Sequence, residues 1–113
     1  MPTKRVILEM GAGNDLHGGD YTKAAIRAVE DAIHHSSLTM IRTLKVDAGT
    51  MRVDVTIGVQ QPERVDAGAV KSALPVGQVS VKVVKGGLDV ADEEAGDSAV
   101  IASAAVEVRL DLP

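Results

Sequence analysis

The chain contains no cysteine, no phenylalanine and no tryptophan, and only one tyrosine in 113 residues. Without cysteine, disulfides and thiolate zinc sites are excluded. With Tyr21 as the sole aromatic, there is no platform on which the bases of a single strand could stack. A concentrated basic surface is also missing. The 12 Lys and Arg are scattered among 16 Asp and Glu, for a formal charge of −4. Counterion release from a duplex needs the opposite arrangement, so nucleic acid is not an expected partner. The apolar run before Glu9 is too short for a signal peptide, and no later run approaches the roughly 18 residues of a membrane span. The expectation is a cytoplasmic protein without a membrane partner.

What is present suits one globular domain spanning residues 1–113. Apolar residues make up 45% and charged residues 25%, too apolar for a disordered chain. The core must be built from Val, Ile, Leu, Ala and Met. Val6 to Met10 predicts a first strand, and the glycine-rich stretch Gly11 to Asp20 predicts a loop. From Thr22 to about His35, Ala25, Ala28, Val29, Ala32 and Ile33 recur at helical spacing, with Asp20 or Thr22 placed to cap the start. Leu38 to Leu44 is ambiguous.

Met51 to Val59 alternates as a strand with one apolar face. Asp66 is placed to cap a short helix through Leu74, which Pro75 stops. Gly77 to Lys85 alternates again, Gly86-Gly87 reads as a hairpin turn, and Asp89 to Asp97 is too acidic for a core. Val100 to Leu110 closes the chain as a strand.

The order β-α-β-α-β-β predicts an α+β fold, a two-layer sandwich with a mixed four-stranded sheet and two helices on one face. The other face would mix Ser80, Lys82, Ser103, Ala105 and Val84 with Ile7 and Ile101. That is neither a proper core nor a well-solvated surface. One expectation is that it packs against further copies in a barrel-like homo-oligomer; the other is an open face in water.

The chemistry, if any, is expected between the first strand and first helix. Glycines let a ligand approach the backbone, and a helix N-terminus favours an anion. Asp15 and His17 are the candidate catalytic pair, with His17 as general acid–base and Asp15 fixing its tautomer. Gly11, Gly13, Gly18, Gly19 and Asp20 are the candidate ligand-binding residues, suited to a small anionic metabolite. A dinucleotide fingerprint fails because its third glycine would fall at Leu16, and no phosphate-loop lysine follows. Asp15, His17 and Asp20 could be metal ligands, but His34 and His35 lie at the helix's far end, so no metal site is assigned. No cofactor is indicated. The competing reading is a purely structural loop in a non-catalytic assembly or ligand-sensing protein, with Asp15 bonding loop N–H groups.

The stretch Gly11-Ala12-Gly13-Asn14-Asp15-Leu16-His17-Gly18 resembles the GxGxDxHG signature of a small conserved hypothetical family of bacteria and plants, the Lin-type family. The resemblance extends through Gln61-Pro62-Glu63, Leu74-Pro75 and Lys85-Gly86-Gly87-Leu88. It implies a location for a site but no reaction. The element order is also similar to that of monofunctional chorismate mutases and the enamine/imine deaminases. That likeness implies a homotrimer with ligand clefts between subunits. The deaminases' ligand-binding arginine would fall near Ser103, so their activity does not carry over.

Overall fold

Strict alternation of Val53, Val55, Ile57 and Val59 with Arg52, Asp54, Thr56 and Gly58 makes one apolar face. In the computed structural model, which describes residues 3–34, 51–74 and 77–111, that face is buried under helices. The strands are β1 (Thr3–Asp15), β2 (Arg52–Val59), β3 (Gln78–Lys85), β4 (Leu88–Asp92) and β5 (Asp97–Asp111). The helices are α1 (Tyr21–His34) and α2 (Ala67–Ser72), the latter preceded by a 3-10 turn at Pro62–Arg64. The sheet is open and mixed, with β1-β5-β2-β3 in order and β4 also paired to β5. β5 runs antiparallel to β1, β2 and β4, and β2 runs parallel to β3. The α+β sandwich is thus the one expected, with five strands rather than four. Leu38 to Leu44, His35 and Pro75 lie outside the described residues.

Four expectations change. The loop expected from Gly11 begins five residues later, at Leu16, because β1 continues through Asp15 opposite Val100. The acidic stretch after Gly87 forms β4 and its turn, pairing Leu88 with Ile101 through Asp92 with Asp97. An acidic strand is allowed there because β4 packs in no core, being largely exposed. Gly86-Gly87 is therefore not a hairpin turn. It steps the chain from β3, beside β2, onto β5 beyond the end of β2. A Cβ at Gly87 would lie 2.2 Å from the Ile101 carbonyl oxygen, and Gln60 Nε2 donates to the Gly86 carbonyl at 3.0 Å.

Ile7 was expected on the outer face, yet it is buried in the core. The register shifts between Arg5 and Ile7, and one extra residue turns every later side chain of β1 over. Gly11 and Gly13 therefore face α1. A Cβ at Gly11 would meet Ala32 N at 2.4 Å, and one at Gly13 would meet Ala28 N at 2.2 Å. On the helix, Ala24, Ala25, Ala28 and Ala32 are wholly buried. Helix backbone thus rests almost directly on strand backbone, and this close approach serves in place of bulky aromatics.

Candidate functional site

Where β1 ends, its carboxylate and imidazole part company. Asp15 is the one buried charged side chain among the described residues, at 6% exposure. Its Oδ2 accepts the Asp20 N–H at 3.0 Å, and its Oδ1 lies 3.7 Å from Arg27 Nη1. Asp20 then caps α1, accepting the Lys23 N–H at 3.0 Å. Asp15 therefore secures the start of α1 and is not seen holding His17. This geometry follows from the strand: Asp15 alternates with Gly11 and Gly13 on the helix side, so Leu16 turns outward and is exposed.

The partner of His17 is Asp97. His17 Nδ1 lies 2.9 Å from Asp97 Oδ2, with the imidazole side chain 87% exposed. Asp97 Oδ1 accepts the N–H of Gly18 at 3.2 Å and of Ser98 at 2.8 Å. These bonds hold the Asp97 carboxyl below the usual carboxylate range, His17 contributing most, then Ser98 and Gly18. Gly18 and Gly19 take φ of 90° and 61°, the left-handed region that lets the turn double back. With Nδ1 engaged, Nε2 remains free at the ring's far edge, the arrangement of an oriented acid–base imidazole. The dyad borders a hollow of about 290 Å³ lined by Leu16, Val90, Asp92, Ala95 and Ala99 among others.

The predicted site residues thus divide. Gly11, Gly13 and Asp15 face the helix side; His17, Gly18 and Asp97 meet at the hollow; Asp20 caps. Sequence reasoning missed Asp97 because it lies 80 residues from His17. Only the β1–β5 register, with Asp15 opposite Val100, brings the two together, and no local pattern encodes a register. The N–H groups meant for an anion carry the chain's own carboxylates: Asp97 takes that of Gly18, Asp15 that of Asp20 and Asp20 that of Lys23.

A second cluster lies on the helix side of the same hairpin. The Tyr21 hydroxyl donates a short bond to Asp89 Oδ2, whose Oδ1 is enclosed without a hydrogen-bond partner. Arg64 sits 5.0 Å above the ring. Burial foremost, then the bond to and charge of Asp89, push the Tyr21 phenol up, against the opposing influence of Arg64 and Gln61. Among the described residues, no three His, Asp or Glu converge with metal-holding geometry, and no helix is long and apolar enough to cross a membrane.

The family described as "Conserved hypothetical protein (Lin0512_fam)" matches residues 5–108. The chain belongs to this family. A crystal structure similar to this Lin0512-family chain, that of an FtsZ-like protein of unknown function from Nostoc punctiforme, is 37% identical in sequence. The match covers 99% of each chain with a TM-score of 0.85. No curated protein matches the Lin0512-family chain.

Proposed function

We propose that this protein binds a small metabolite at the His17–Asp97 dyad, within an assembly of three copies whose neighbouring subunit supplies the opposite wall. The observation that carries the reading is an exposed imidazole with Nδ1 held by a carboxylate and Nε2 free beside a hollow. If a reaction occurs, His17 is the general acid–base and Asp97 its positioning residue. Asp97 thereby takes the role first expected of Asp15. Gly11, Gly13 and Asp15 serve as the frame, which is the competing structural reading applied to half the motif.

The ligand class shifts as well. Asp92 and Asp97 line the hollow, and the nearby N–H donors are occupied, so a neutral molecule offering a carbonyl or hydroxyl suits the site better than an anion. The assembly is supported by the outer sheet face, where Leu8, Met10, Leu88 and Val90 are 46%, 71%, 55% and 49% exposed. Covering these side chains with a second copy would take their apolar surface out of water.

The test is an NMR titration of the full chain with a set of small neutral carbonyl and hydroxyl compounds, following the His17 ring resonances. A compound that shifts His17 in the wild type and leaves His17→Ala and Asp97→Asn unaffected supports the reading. Compounds that bind all three proteins alike, or none that moves His17, reduce the dyad to a structural clasp.

A further inference from the structure

The acidic charge of this chain is segregated. Leu88 to Asp97 carries five carboxylates and no cation, whereas the other residues carry twelve cations against eleven carboxylates. Three of the five are engaged locally: Asp89 with Tyr21, Asp97 with His17, and Asp92 with the Ala95 N–H at 3.2 Å. Glu93 and Glu94, at the turn of the β4–β5 hairpin, are exposed and have no cation beside them among the described residues. Beside them on the hairpin's outer face stand the exposed Leu88 and Val90.

The complement lies on the outer face of the same sheet. Its arginines are already paired: Arg5 with Glu107 at 3.5 Å, Arg109 with Glu107 at 3.1 Å, and Arg52 with Asp54 at 3.6 Å. Lys82 on β3, opposite Thr56 on that face, is exposed and has no carboxylate partner among the described residues. Beside it lies a trough of about 590 Å³, floored by Thr56, Gly58, Ser103 and Ala105 and walled by Met10 and Val84. The trough exists because the edge strands carry larger side chains at this level than the central pair. Its walls, on β1 and β3, stand three strand spacings apart, about 14 Å, wide enough for a two-stranded hairpin. β4 belongs to the same sheet as β3, so the hairpin cannot fold over its own trough.

We propose that copies of this chain associate head to tail, the acidic hairpin of one protomer seated in the outer-face trough of the next with Glu93 and Glu94 against Lys82. The proposal rests on the assembly in the reading above and specifies its interface. The contact is heterologous, since two different surfaces meet, and it makes a ring when the rotation closes. It covers the apolar outer face and brings a neighbouring chain toward the His17 hollow, which the same hairpin helps to line.

Analytical ultracentrifugation of the full chain tests it, with folding checked by circular dichroism. The wild type is expected to assemble at micromolar concentration, and more weakly in 500 mM than in 50 mM salt. The pair Glu93→Lys with Glu94→Lys, and separately Lys82→Glu, should each weaken association by about tenfold or more. The milder Glu93→Gln with Glu94→Gln should weaken it less. An equimolar mixture of the two reversed proteins should reassemble, because each supplies the surface the other lacks. A wild-type assembly that both reversals leave intact overturns this interface while the assembly itself stands. A wild type that stays monomeric removes both. His17 titrations on the reversed variants, read separately, report whether the ligand site survives.

Discussion

Asp97 holds His17 across 80 residues of chain, its Oδ2 lying 2.9 Å from the imidazole Nδ1. Asp15, two residues from His17 in sequence, instead bonds the Asp20 N–H and faces Arg27. Sequence proximity and chemical partnership thus point to different carboxylates, and the difference can be measured.

Asp97→Asn should leave overall stability nearly unchanged and release the His17 tautomer. Asp15→Asn should cost about 1–3 kcal/mol, because a buried carboxylate bonded to the start of α1 is lost. Nitrogen-15 spectra of the imidazoles, together with urea melts of both variants, separate the two roles. A His17 tautomer preference that persists in Asp97→Asn would show that the dyad does not orient the ring.

Gly13→Ala should destabilise by about 3 kcal/mol or more, since its Cβ would sit 2.2 Å from backbone nitrogen of α1. Gly19→Ala meets nothing within 4 Å and carries only the cost of its φ of 61°, about 1 kcal/mol. Denaturant midpoints of the two variants should differ clearly. Similar losses would mean that α1 does not rest on β1 as described.

Acid should loosen the hairpin before the core. The Asp97 carboxyl is held low in the folded state, chiefly by His17. Its contribution is therefore present above the ordinary carboxylate value and fades as pH falls through the lower, folded one. Hydrogen exchange at Gly18 and Ser98 should rise in that acidic window, and Asp97→Asn should abolish the change. An unaltered acid profile in the variant would assign the effect to another carboxylate.

At the alkaline end, Tyr21 gives an unusually clean signal as the only aromatic residue. Its phenol is pushed up by burial and by Asp89. Folding is thus favoured below the ordinary tyrosine value of about 10 and loses that contribution as pH rises through the higher, folded one. Ultraviolet titration should show ionisation displaced above about 10 and coincident with loss of structure. Asp89→Asn should bring the midpoint down. Ionisation near 10 with the fold intact would place the ring in water.

The described elements were largely legible in advance because side-chain periodicity is local. Val53 to Val59 and Ala25 to Ile33 declare a strand and a helix within their own few residues, and Asp20 and Asp66 mark caps for the same reason. The motif's chemistry was harder to read. A glycine beside a helix N-terminus looks the same whether it admits a ligand or a helix, and an acidic stretch looks like a loop until a partner strand offers it hydrogen bonds.

Alternation, composition and capping residues sufficed for the α+β class, the apolar faces and the start of α1. Long-range geometry settled the rest. An extra residue near Val6 reversed the faces of β1, β5 drew Leu88 to Asp92 into the sheet, and close seating of α1 consumed the space beside Gly11 and Gly13. Register shifts of one residue exchange the two faces of a strand, and no segment carries that information alone. The meeting of His17 with Asp97 is the consequence.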